Sequence, residues 1–381
     1  MEKRSTPGEL GAQPTRRAKP DHRVASLPSS SAQWIAELVT RGLGVGLAVL
    51  LSFATLAQSS AGQQPKTEKV KLNAAVLYRQ AIEELQKALP VAEYESDIDL
   101  PDDWHEDGGP DYTSKAWREA VRKAAVAITL FEQASQIPTC RFDNKADGVM
   151  TEFIRHAAHL SAVRHIVIAQ AWQRLEKDPR GTAGTAMQLL QHANHCSQEP
   201  LNIALAIGFA AEQRATKLLR AALKQLAKQA DGQGVADRCL KQLEQHLKAR
   251  PSRATLAQVT EREFAYVLEK VLEDAGKNPA VKAARMRATQ ILHEWVLPLY
   301  EDPTVSLAAM QTHSKKYSDR MKKLTKSKKL PTILETGAGE NIAAALVLLC
   351  STDVSRFLEP CLTAEARLEA CRVELRKLAG K

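Results

Sequence analysis

The chain has 381 residues, of which 44% are hydrophobic, 25% charged and only 5% aromatic. That length and balance exclude disorder throughout, and the prominence of Ala and Leu over aromatic and β-branched residues favours helix over sheet. The formal charge of +9 includes seven basic and four acidic residues within the first 57 positions, so the remainder is too mildly basic to imply nucleic acid as a partner.

Residues 1–33 are polar, contain Pro and Ser, and show no apolar periodicity, so they are expected to be a disordered basic leader. In the following segment, 34–61, Arg41 precedes "GLGVGLAVLLSFATLA", an uncharged run of sixteen residues from Gly42 to Ala57. As a helix that run spans about 24 Å, against about 30 Å for a bilayer core. Thr55-Leu56-Ala57 and Ser59-Ser60-Ala61 both suit the small-x-small rule for signal cleavage. A cleaved export signal is expected, with an anchor formed by residues 42–57 as the alternative. Either places the rest of the chain in the periplasm or cell envelope.

Six cysteines follow, at 140, 196, 239, 350, 361 and 371. In an oxidising compartment an even count permits up to three disulfides. No two are spaced as in a zinc ribbon. Cys239 is expected as a small core residue, and Cys350, Cys361 and Cys371 as the place for a disulfide.

Segment 62–112 comprises a linker, one helix and an acidic loop. In "NAAVLYRQAIEELQKAL" the residues Val76, Ile82, Leu85 and Leu89 fall near one stripe, and Pro90 stops the helix. "VAEYESDIDLPDDWHEDGGPDYTS" then reads as a solvated loop. Its match to a calcium-binding loop is poor, with His105 at the third position and Ser114 at the twelfth.

The main helical domain, 113–330, opens at Ser114 as an N-cap. Helices are expected at about 147–176, 182–197, 200–229, 234–249, 252–276, 278–299 and 303–325, followed by a C-terminal hairpin, 331–381, with helices at 339–350 and 363–378. "LNIALAIGFAA" at 201–211 is apolar on every face and is expected at the centre of a bundle. The predicted fold is all-α: antiparallel helical hairpins in an irregular bundle or short solenoid. "AWREAVRKAAVAITLFEQA" resembles one tetratricopeptide helix, although the pattern does not recur at 34 residues. The plan of signal segment, "NAAVLYRQAIEEL", acidic loop and Cys140-led hairpins is similar to uncharacterised exported helical proteins of environmental bacteria. That resemblance implies a helical fold and carries no activity with it.

Two His-x-x-His pairs raise a metal question. On a helical wheel His156 and His159 lie at the edge and outer side of the helix at 147–176, where Glu152 is one turn before His156. His192 and His195 repeat the edge and outer placements on the next helix. A divalent metal would use Glu152, His156 and His159, with His192 and His195 as possible additions. The heights along a hairpin do not bring all four imidazoles together, and ordinary helix surface is the competing reading. "HSKKYSDRMKKLTKSKKLP" holds eight basic residues against one acid: Lys315, Lys316, Arg320, Lys322, Lys323, Lys326, Lys328 and Lys329. The run could attract a polyanion or anionic lipid, while Met310, Tyr317, Met321 and Leu324 explain it equally as an amphipathic helix. "ETGAGEN" lacks the residues of a phosphate-binding loop, and no nucleophile elbow is present.

The expected function is therefore an exported scaffold or protein-interaction protein, with a protein partner, no cofactor and no catalysis of its own. The alternative is a metal-dependent enzyme or metal carrier, and the third reading is envelope or polyanion attachment through 315–329.

Overall fold

Several helix starts in this chain are set by side chains that accept the first free N–H groups. Asn73 Oδ1 accepts from Ala75 N at 3.2 Å, Ser114 Oγ from Trp117 N at 3.3 Å and Asp178 Oδ1 from Gly181 N at 2.8 Å. In the computed structural model, residues 73–89, 100, 111–142, 149–199, 201–274, 279–302, 304–325, 340–350 and 354–381 are described. The expected signal segment, most of the acidic loop, Lys326, Lys328, Lys329 and the start of "ETGAGEN" lie outside the described residues, as do the side chains of Glu152, Lys322 and Cys350.

The protein is all-α, with no strand among the described residues. In chain order the helices are α1 Ala74–Ala88, α2 Lys115–Lys123, α3 Ala125–Ser135, α4 Val149–Arg174, α5 Pro179–Ser197, α6 Asn202–Leu226, α7 Gly232–Ala249, α8 Arg253–Asp274, α9 Pro279–Trp295, α10 Pro298–Glu301, α11 Leu307–Thr325, α12 Glu340–Cys350 and α13 Val354–Ala379. Helix α5 begins three residues earlier than its periodicity suggested because Asp178 caps it and Pro179 fits the first helical position. The last helix begins nine residues earlier than expected and runs through Pro360. One ladder bond is lost there, but Phe357, Leu358, Cys361 and Leu362 are buried on either side and hold the helix together. It ends in a Schellman turn at Gly380, φ 73°, with Lys381 N–H bonding to Arg376 O at 2.9 Å.

Buried apolar side chains form two cores. The first gathers α1 to α7 with the C-terminal half of α13, from Leu368 to Ala379. The second gathers α8 to α12, Leu205, Ala206 and Phe209 at the start of α6, and Phe357 to Ala364 of α13. Helices α6 and α13 therefore pass from one core into the other. This explains the all-round apolar stretch of α6: Ala204 and Ile207 face the first core while Leu205, Ala206 and Phe209 face the second.

The expected stripe on α1 needs correction. Val76 is 50% exposed, and the inner face is Ala74, Ala75, Tyr78, Ala81, Ile82 and Leu85. Alanines carry the close approach of α3, so the largest apolar residue does not mark the buried side. Among the described residues no helix is long and apolar enough to cross a membrane.

The α5–α6 contact depends on one missing side chain. A Cβ on Gly208 would stand 3.2 Å from the carbonyl oxygen of Ala193 and 3.6 Å from Cys196 Cβ. Gly208→Val is expected to cost about 1–3 kcal/mol by forcing the two backbones apart. Urea unfolding should register this as a lower midpoint at unchanged slope.

Candidate functional site

Residues 137–142 have no regular structure, and their backbone groups are taken up by the start of α1 and the end of α5. Ala74 N–H donates to Thr139 O at 2.9 Å. Asn73 accepts from Arg141 N at 2.9 Å and donates to Arg141 O at 2.7 Å. The Gln198 amide donates to Pro138 O at 3.2 Å and accepts from Cys140 N at 3.0 Å, and Glu199 accepts from Phe142 N at 3.0 Å. Side chains thus replace the ladder that a strand or helix would have supplied.

Under this strap lie Tyr78, Phe131, His192, His195 and Cys196, with the buried side chain of Cys140 belonging to the strap itself. His195 Nε2 is 2.7 Å from Ile137 O, and a carbonyl can only accept, so Nε2 carries the proton. Nδ1 then accepts from the Tyr78 hydroxyl at 2.9 Å. The His192 ring packs edge-on to Tyr78, with centroids 5.2 Å apart, and 5.2 Å from Phe131. Its Nε2 lies 3.7 Å from Cys196 Sγ. Burial pushes the His195 imidazolium down to about 4, opposed by the Ile137 carbonyl. Burial, reinforced by the nearby Arg164 guanidinium, holds His192 well below the ordinary imidazole range. Burial also raises both thiols, Cys196 to about 12 and Cys140 higher, so at neutral pH the cluster is uncharged.

The four candidate histidines therefore fall into distinct settings. His192 and His195 meet at Tyr78. His159 sits 3.4 Å from the Gln86 amide, and the His156 ring is 5.7 Å from Phe142. The outward placements of His159 and His195 need correction, since they are 6% and 1% exposed, and His192, expected at the helix edge, is also only 1% exposed. Helix α4 packs against α1, α2, α3, α5 and α6, so it has no outer side from His159 to Ala169. On α5, the strap closes the side that the wheel leaves open. Among the described residues no three His, Cys, Asp or Glu side chains are grouped as metal ligands. Of the basic run, Lys315, Lys316, Arg320 and Lys323 are exposed on α11, and the Arg320 guanidinium stacks 4.0 Å over the Trp295 ring.

A second polar centre lies where the two cores meet. Glu212 on α6 accepts from His246 Nε2 at 2.8 Å and from Arg250 Nε at 3.0 Å. Arg250 also donates to Glu365 at 2.7 Å and to Cys361 O at 3.2 Å, and it covers the Phe209 ring at 5.0 Å. Burial alone would raise the Glu212 carboxyl, but His246 and Arg250 outweigh it and hold the group below the usual range. At the start of α6, Glu263 accepts from the helix's first N–H, on Asn202, at 3.1 Å, and burial lifts its carboxyl to about 7 against that hydrogen bond. The Glu212 centre carried no local signal in the sequence, since the ion pairs that build it join residues 34 to 115 positions apart.

Cys361 and Cys371 do not pair as expected. They are ten residues apart on one helix, about 15 Å along its axis, far beyond disulfide reach. Cys361 Sγ faces Arg250 and Glu365, and Cys371 Sγ faces Thr216 O. Cys239 is buried as a small core residue. Searches against protein-family models, curated proteins and solved structures returned no match to this chain.

Proposed function

We propose that the chain is an exported α-helical scaffold or protein-interaction protein without catalysis of its own, its antiparallel hairpins arranged as an irregular bundle or short solenoid. The supporting observation is where apolar side chains remain uncovered. Tyr266 on α8 is 46% exposed and Met286 on α9 is 71% exposed. The ion pairs Glu269–Arg285 and Glu261–His293 fix α8 and α9 as an antiparallel hairpin and bring both residues to the same level. An aromatic and a thioether rimmed by paired charges is the composition of a protein-binding surface. The buried histidines and thiols, in contrast, are engaged in holding helices together. The partner expected is a protein of the cell envelope that presents an apolar residue within a polar rim.

Photo-crosslinking tests this in the native compartment. A photoreactive residue at Met286 should give one discrete protein adduct, unaffected by chelator, whereas the same residue at Val126, exposed on α3, should not. No adduct at Met286 would defeat the proposal. Adduct formation abolished by chelator, together with stoichiometric metal that disappears in His192→Ala/His195→Ala, would replace it with the metal-dependent reading.

A further inference from the structure

The clamps on residues 137–142 hold Cys140 against the end of α5 that carries Cys196, both of them free thiols in the structure. Ile137 O is held by His195, Pro138 O and Cys140 N by Gln198, and Phe142 N by Glu199. Positions 192, 195, 196 and 199 share one face by helical periodicity. Cys196 thus lies on that face between His195, which meets Ile137, and Glu199, which meets Phe142. Cys140 occupies the middle of the same stretch of strap. Both side chains are buried, and the two thiols are within electrostatic reach of each other and of the Tyr78 hydroxyl. Two of the other described thiols have partners elsewhere, Cys361 at Arg250 and Cys371 at the α6 backbone.

We infer that Cys140 and Cys196 are a disulfide-forming pair, and that oxidation staples the 137–142 strap to the end of α5. The oxidant is a disulfide, of the glutathione or protein-dithiol class. One cysteine, as thiolate, attacks the oxidant and releases one thiol, leaving a mixed disulfide. The second cysteine attacks that bond as thiolate and releases the other. Two protons and two electrons leave the protein, one S–S bond forms within it, and one oxidant disulfide becomes two thiols. Because burial keeps both thiols protonated in the closed structure, exchange is slow there, and the bond forms while the strap is still open during folding. The inference is independent of the proposed function.

The test refolds the unfolded, reduced full chain in a buffer of reduced and oxidised glutathione, alkylates the remaining thiols and maps peptides without reduction. The expected product joins the peptides of Cys140 and Cys196. Closing so long a loop should raise Tm by roughly 5–10 °C over the reduced chain. Cys140→Ser and Cys196→Ser should each remove both the linked peptide and the Tm difference, and Cys239→Ser should remove neither. Recovery of Cys140 and Cys196 as alkylated thiols from the refolded wild-type chain, or their linkage to other cysteines, would overturn the inference. That readout needs no variant to fold.

Discussion

Replacing Arg250 by Met is expected to destabilise the protein by about 3–5 kcal/mol, the cost of leaving one member of a buried ion pair without its partner. The Arg250 side chain is 7% exposed and that of Glu212 is 3% exposed. Without the guanidinium, Glu212 keeps only His246 as a hydrogen-bond donor, in a setting where water cannot substitute. Removing the charge from both sides should cost much less. In Glu212→Gln/Arg250→Met, the amide oxygen can still accept from His246, and the methionine fills the space over Phe209. The double variant should recover at least about 2 kcal/mol relative to the sum of the two single losses. Urea unfolding of the four proteins gives the cycle, and additive losses would show that Glu212 and Arg250 are not energetically coupled. The position magnifies the effect. Glu212 lies on α6 between Phe209 of the second core and Ala215 of the first, and Glu365 on α13 lies between Ala364 of the second and Leu368 of the first. The network thus ties together the two helices that join the cores.

That junction also marks the limit of what the sequence made legible. Local periodicity located the helices well where one face was apolar, and it singled out residues 201–211, whose all-round apolarity reflects two cores on two sides. It could not tell which polar residues meet across 34 or more positions, so Glu212, His246 and Arg250 looked like ordinary helix charge. The histidines failed for a related reason. A helical wheel assumes one neighbour and an open back, which is wrong for α4 among five helices and for α5 under the strap. Tyr78 was missed because alanines, and not the larger Val76, define the buried side of α1. The terminal helix was expected only from 363, whereas it starts at Val354 and runs through Pro360, where burial on both sides outweighs one lost backbone bond. For the basic run, exposure on α11 agrees with both a solvated helix and an anion-binding face, since the two differ only in a partner.

Acid should destabilise the first core through His192 and His195, and the sign follows from their depressed titration. Above about pH 6.5 both imidazoles are neutral whether the chain is folded or unfolded. As pH falls below that value the unfolded chain takes up protons that the folded core refuses, and stability drops until the folded His195 itself titrates at about 4. His195 alone accounts for about 3 kcal/mol over this window, and His192 adds to the loss in the same direction. Glu263 works against them. Its folded carboxyl titrates at about 7, so its contribution is fully present below the unfolded value near 4.5 and is lost as pH rises through 7. The wild-type profile is therefore the difference of two opposing effects, and Glu263→Gln, which keeps an acceptor for Asn202 N–H, should expose the histidine term. In that background the urea midpoint should fall steeply between pH 6.5 and 4, while at pH 8 the variant should be more stable than wild type. Adding His192→Leu should make the fall shallower at little cost near pH 8, because His192 Nδ1 has no hydrogen-bond partner among the described residues and leucine nearly matches the ring in volume. A flat profile for Glu263→Gln across this window would mean that His192 and His195 accept protons in the folded state as readily as in water, which their burial beneath the 137–142 strap does not allow.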